Sequence, residues 1–227
     1  MHFLKPISCR WYVLLSFLIL AGCLSGKRPP VSLYPELDKR LYQITPLPVT
    51  VGIYVEPDLR NYVQTEHFIH YNIGVHNFVF PIGESLSPKI DEMSKAVFSK
   101  AVLIDSMQDQ TYLSREPLDG ILAVGLKNSE IELYIEESVW RAIGRHKLSI
   151  MASFSDPKLN KIWESEISVE GKGFDFISSR VQYEWWVTSG PNFAPAVNDA
   201  IEKATYELAK KLTTSKEILD YIQNNKR

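Results

Sequence analysis

The sequence predicts an α+β fold, an antiparallel-rich sheet with two long helices packed on one face, and three observations carry that expectation. Residues 49–55 alternate, with Val49, Val51, Ile53 and Val55 on one face of a strand. Two segments instead follow the helical period: Ile90, Met93, Val97 and Ala101, then Val197, Ile201, Ala204, Leu208 and Leu212. Between them, two alternating runs flank the turn Asp156-Pro157-Lys158 and read as an antiparallel hairpin. At 227 residues and 45% hydrophobic, the chain is long and apolar enough to bury one sizeable core. A formal net charge of -2 lacks the basic excess of a nucleic-acid binder, so none is expected as a partner.

The elements follow in order. After the first strand, residues 56–82 form an excursion with strand-like pieces near 62–69 and 75–82. The first helix is expected to start with Ser87 as cap and Pro88 at its first position, because proline lacks the N–H that this position leaves unpaired anyway. Residues 101–105 are a short buried strand candidate. Asp119-Gly120 then turns the chain into the apolar run 121–126, and Ile131, Leu133 and Ile135 continue it by alternation. In the hairpin, His146, Leu148, Ile150, Ala152 and Phe154 share a face, opposed by Trp163, Ile167 and Val169. Centring the turn between Pro157 and Lys158 pairs Leu148 with Ile167, Ala152 with Trp163 and Arg145 with Glu170, which suits both apolar and opposite-charge pairs. The second long helix follows, and Thr214 to Glu217 has a capping-box pattern that opens a short final helix.

The first residues read as an address. Lys5 and Arg10 precede the uncharged run Trp11 to Leu20, WYVLLSFLIL, which ends in Ala21-Gly22-Cys23. A basic start, a short apolar stretch and small residues before a cleavage point form a secretory signal. A bilayer-spanning helix would need about 20 apolar residues. Leu20-Ala21-Gly22-Cys23 resembles the lipobox of bacterial lipoproteins. That resemblance implies cleavage before Cys23, thioether lipidation of its sulfur and acylation of the new amino group. Leu24 in the following position, where aspartate would retain the protein at the inner membrane, implies the outer membrane with the domain facing the periplasm. Of the two cysteines, Cys9 is then lost with the signal and Cys23 becomes the lipid carrier, so no disulfide framework is possible.

The resulting organisation is a signal peptide over 1–22, a lipidated cysteine with a Pro-rich tether over 23–48, and a single periplasmic α+β domain over 49–227. Prolines 29, 30, 35, 46 and 48 favour an extended tether. The apolar residues Leu33, Tyr34, Leu37, Leu41, Tyr42 and Ile44 within it point to docking on the domain or on a partner. The order of elements also resembles envelope proteins of the LptE-like and TolB N-terminal-domain kinds; this likeness is of architecture and carries no site residue.

Three clusters are candidates for chemistry. His67, His70 and His76 fall within ten residues, but residues three apart on a strand point to opposite faces, so no metal site is expected. Tyr183-Glu184-Trp185-Trp186 is the densest aromatic cluster, and Tyr183, Trp185 and Trp186 are the candidate partner contacts. Glu130, Glu132, Glu136, Glu137, Glu164, Glu166 and Glu170 alternate as a solvated sheet face does, rather than as a catalytic carboxylate pair. Gly171-Lys172-Gly173 is expected to be a turn at a strand end. Neither a nucleophile elbow nor a phosphate loop nor a zinc-protease motif occurs, so no enzyme activity and no cofactor are expected. The expected function is that of a non-catalytic accessory or scaffold protein of an envelope assembly, transport or secretion machine. Its expected partners are the bilayer, through Cys23, and an envelope protein. The alternatives are a periplasmic lipid- or small-ligand-binding protein and, behind it, an envelope hydrolase.

Overall fold

The computed structural model describes residues 29–71, 74–107, 117–176 and 191–225. The fold is α+β, as expected. Seven strands are described: β1 (Leu47–Val55), β2 (Gln64–His70), β3 (Gly74–Phe80), β4 (Phe98–Leu103), β5 (Gly120–Glu136), β6 (Arg141–Ser155) and β7 (Lys161–Phe176). The helices are the single turn α1 (Pro57–Arg60), the long α2 (Ile82–Val97) and α3 (Ala194–Thr214), and the short α4 (Lys216–Asn225). Five strands form one sheet in the order β4-β1-β5-β6-β7, while β2 and β3 form a separate hairpin.

Strand β1 is parallel to both of its neighbours, β4 and β5, and only the β5-β6-β7 meander is antiparallel. The parallel part arises because the hairpin and α2 lie between β1 and β4, giving the long crossover that parallel pairing needs. The 101–105 strand candidate is β4, which begins earlier and forms the sheet edge. Ser99 and Lys100 are exposed and Leu103 is half-exposed, so this strand is not buried.

Helices α2 and α3 cover one face of the sheet. Ile82, Leu86, Ile90, Met93 and Val97 of α2 meet Val197, Ile201, Ala204 and Leu208 of α3 over Val51, Ile53, Leu122 and Val124. A smaller cluster of Ile104, Leu118 and Ile121 covers the opposite face near Gly52. In β5 the core-facing positions change parity, from Leu122 and Val124 to Ile131, and the cause is a bulge at Lys127. One extra residue there turns every later side chain over.

Several local expectations are corrected. Helix α2 starts at Ile82, so Pro88 lies inside it and Ser87 donates to the Gly83 carbonyl rather than capping. Leu86 and Ile90 extend the buried stripe back to Ile82, and that burial outweighs the hydrogen bond lost at proline. The β6–β7 register differs by two residues from the expected one: Leu148 faces Val169, Ile150 faces Ile167, and Arg145 faces Lys172. The loop is wider than a tight turn because the Asp156 carboxylate accepts from the backbone of Lys158 and Asn160, and Leu159 takes a positive φ of 67. A shift of two keeps each residue on its expected face. Thr214 belongs to α3, and Ser215 caps α4 by accepting from the Ile218 N–H.

Gly171-Lys172-Gly173 lies within β7, not at its end. A β-carbon at Gly171 would sit 2.2 Å from the Ala196 carbonyl oxygen, and one at Gly173 2.5 Å from the Ala196 nitrogen. These glycines let the first turns of α3 rest directly on the sheet.

Candidate functional site

The Pro-rich segment is the first functional element, because its described part is fastened to the domain. The Val31 N–H donates to the Val79 carbonyl of β3 at 2.8 Å, and the Tyr34 N–H donates to Asn198 of α3 at 3.1 Å. Leu41, in the short helical turn Lys39–Gln43, is fully buried, and Leu37 is nearly so. Arg40 pairs with Asp38 and lies 3.8 Å over the Tyr206 ring of α3. Leu37 and Leu41 are thus core residues, Leu33 and Ile44 pack against the core, Tyr34 and Tyr42 stay exposed, and residues 31–44 form a strap on the domain.

The histidines separate as strand alternation requires. His67 lies on the outer face of the β2–β3 hairpin, 2.6 Å from Asn77 directly across. His70 and His76 lie on the inner face beside Phe68 and Phe78, and His70 reaches Glu137 at 3.2 Å. Among the described residues no group of three His, Cys, Asp or Glu could hold a metal ion. The exterior glutamates alternate with cations: Glu130 and Glu132 flank Lys147, Glu136 pairs with Arg141, Glu164 with Lys161, Glu166 with Lys127 and Glu170 with Lys172. Each serves an exposed ion pair rather than a catalytic carboxylate couple. Tyr183, Trp185 and Trp186 lie outside the described residues, as do Cys23 and the signal segment.

In the sequence His146 is one position of the apolar alternation of β6. The structure makes it the centre of a buried polar network. Its Nε2 lies 2.8 Å from Ser129 Oγ; that hydroxyl donates to Gln64 Oε1 at 2.5 Å, and Gln64 Nε2 donates to Glu66 at 2.6 Å. Since Ser129 spends its proton on Gln64, His146 must donate from Nε2, which leaves Nδ1 as a bare acceptor. Nδ1 has no hydrogen-bond partner among the described residues. Burial pushes the imidazole down to about 4, so it is neutral. A serine nucleophile would need an unprotonated histidine nitrogen facing its hydroxyl; here the proton points the wrong way. The only signal in the sequence was a histidine interrupting an apolar alternation.

The end of the molecule formed by the β5–β6 turn is apolar and open. Tyr71 donates to Glu137 at 2.5 Å and His70 contacts the same side chain, so the β2–β3 tip meets the β5–β6 turn. Ile69, Tyr71 and Val75 are strongly exposed on the hairpin, and Val139 and Trp140 are half-exposed in the turn. On the open sheet face, Tyr134, Phe174 and Phe176 extend the patch, with Arg141 over the Phe174 ring at 5.0 Å. Trp140 has a left-handed backbone, φ 50.

No protein-family model matches the chain, and no curated protein sequence matches it. Solved structures that resemble it include a protein provisionally described as a neuraminyllactose-binding hemagglutinin homologue from Helicobacter pylori. That structure is 13% identical with a TM-score of 0.40, and the match covers 99% of this chain and all of the other. A minor lipoprotein from Acinetobacter baumannii is 7% identical over 74% of this chain and 93% of its own, with a TM-score of 0.36. A hypothetical protein, CT253, from Chlamydia trachomatis is 10% identical over 79% of this chain and all of its own, with a TM-score of 0.40. These likenesses are of general outline, and no residue role is carried across from them. Among the described residues no helix is long and apolar enough to cross a membrane.

Proposed function

We propose that the chain is a membrane-anchored bacterial lipoprotein, held in the cell envelope by acylated Cys23. In this reading its domain serves as a non-catalytic accessory component of an envelope assembly, transport or secretion machine. The observation that carries it is the join between address and fold. A lipobox ending at Cys23 is followed eight residues later by the strap, which among the described residues first hydrogen-bonds the domain at Val31. Leu37 and Leu41 therefore belong to a folded body, and only a short stretch of chain separates its described part from Cys23. Two or more acyl chains make such attachment effectively permanent and confine the domain to one membrane, which raises its effective concentration for a partner there. Leu24 favours the outer membrane, with the domain in the periplasm.

A non-catalytic role is supported by the neutral, reversed Ser129–His146 pair and by glutamates paired with Lys or Arg on the sheet exterior, Glu137 instead accepting from Tyr71. The ligand-binding alternative has less support, because the space between helices and sheet is filled by side chains such as Ile53, Leu86, Ile90 and Leu122. The cleft of about 590 Å³ between the strap and the start of α2 is open to solvent. The partner is an envelope protein, with Tyr183, Trp185 and Trp186 as its candidate contacts. Labelled palmitate should enter the wild-type chain but not Cys23→Ser, and globomycin should block processing. Crosslinking and pull-down from membranes should then recover a partner with the wild type that Cys23→Ser loses. A soluble, unlabelled mature form, or a partner indifferent to anchoring, would defeat the proposal.

A further inference from the structure

We propose that the apolar end formed by the β2–β3 tip and the β5–β6 turn rests in the headgroup region of the bilayer that carries the anchor. This deepens the lipid-anchored reading and rests on it. The first support is covalent reach. Between Cys23 and Val31 the chain spans at most about 28 Å when fully extended. Val31 is fastened to Val79, and Val75, at the hairpin tip, lies about 13 Å further along β3. The hairpin lies over Ile131 and Leu133 of β5, and His146 faces Ile131. From His146 the opposite end of β6 at Ser155 is about 30 Å away, comparable to the whole reach of the linker. A linker fastened at Val31 therefore reaches the hairpin end with slack, whereas the β6–β7 turn lies at the limit of its reach.

The second support is composition. Tyr71, Val75, Val139, Trp140, Phe174 and Phe176 are all exposed at this end. Aromatic side chains with a polar edge settle at the membrane–water boundary, where one end of the ring is apolar and the other wet. Arg141 is taken up by Glu136, and Glu137 accepts from the neutral Tyr71 hydroxyl, so this end has no basic excess to attract anionic lipid and the contact is made by insertion. The third support is backbone strain. A left-handed conformation is strained for a bulky residue, and glycine or asparagine would fill the Trp140 position with less strain. The chain instead places a large half-exposed indole there.

The test uses the full lipidated chain reconstituted in vesicles of neutral phosphatidylcholine. Cys9 leaves with the signal and the Cys23 sulfur is acylated, so a cysteine introduced by Val139→Cys or Val75→Cys is the sole free thiol and takes a fluorescent label. Lys158→Cys, in the β6–β7 turn, is the distant control. Flotation with the vesicles first reports whether the chain is anchored. The expected result is a label at 139 and at 75 that is shielded from aqueous iodide several-fold more than at 158. It should also be quenched by nitroxide-bearing lipid, and high salt should change neither response. Iodide access equal to that at 158 in floating protein overturns the inference while leaving the anchor intact. Shielding from iodide without quenching by nitroxide lipid also overturns it, because another copy of the chain then covers the patch. Failure to float defeats the anchored reading, and this inference with it.

Discussion

At the scale of single residues, His146 has the most to lose as conditions change. It is neutral and fully buried in the fold, with an imidazole pushed down to about 4, while the unfolded chain titrates it near its ordinary value. As pH falls through about 6.5 the unfolded state takes up a proton that the folded state refuses until about 4, so stability is lost across that window. At pH 5 this amounts to about 2 kcal/mol relative to pH 7. Urea unfolding of the wild type and of His146→Gln at both pH values measures it, and the variant should lose less stability over the same interval; equal losses would refute the assignment. A second residue-scale prediction concerns Gly171. An alanine β-carbon there meets the backbone of Ala196 and Ala200, which cannot yield as a side chain would, so Gly171→Ala should cost at least about 2 kcal/mol in thermal or urea unfolding. Neither role was legible beforehand. The alternation showed that His146 faces inward but not that Ser129 and Gln64 meet it, because those partners come from β5 and β2. The two glycines resembled a turn because glycine marks both turns and close backbone approaches.

At the scale of elements, the strap and the meander make opposite kinds of contribution. Leu41 is fully buried among core residues, so Leu41→Ala should destabilise the whole domain by about 2–4 kcal/mol. If residues 31–44 were a free tether, the melting temperature of this variant would equal that of the wild type. The meander is instead tuned on its wet face, where Lys147 sits between Glu130 and Glu132 and opposite Glu170. Lys147→Glu places like charges in register and should cost roughly 0.5–1 kcal/mol, a loss that added salt partly restores. Elements with a clean period were legible: β1, the β6–β7 faces and the core stripe of α3 stand where alternation and helical spacing put them. Their ends were less so. The register of β6–β7 moved by two because Asp156 organises a longer loop, and the start of α2 moved to Ile82 because a buried stripe can carry a helix past Pro88.

At the scale of the molecule, the sequence announces an antiparallel-rich sheet but not the two parallel pairings among the four of its main sheet. Which strand flanks β1 is decided by contacts between residues far apart in the chain, such as Val51 with Ala101 and with Gly120, and no local pattern encodes them. One core nevertheless runs from the strap to the last helix: Leu37 and Leu41, the hairpin phenylalanines 68 and 78, and Ile218 and Ile222 of α4 all join it. Tyr221 closes α4 onto the sheet by donating to the Asp119 carbonyl at 2.7 Å, with its ring against Phe154. The short final helix is therefore an integral part of the fold. Each of its two buried isoleucines contributes about 2–5 kcal/mol when judged by truncation to alanine, while a whole domain is stable by only about 5–15 kcal/mol. A chain ending at Ser215 should consequently lose its near-ultraviolet dichroism and become protease-sensitive across β5 and β6, whereas Ile218→Ala alone should fold with a lowered melting temperature. Native dichroism and protease resistance in the truncated chain would mean that α4 is an appendage and that the core closes without it.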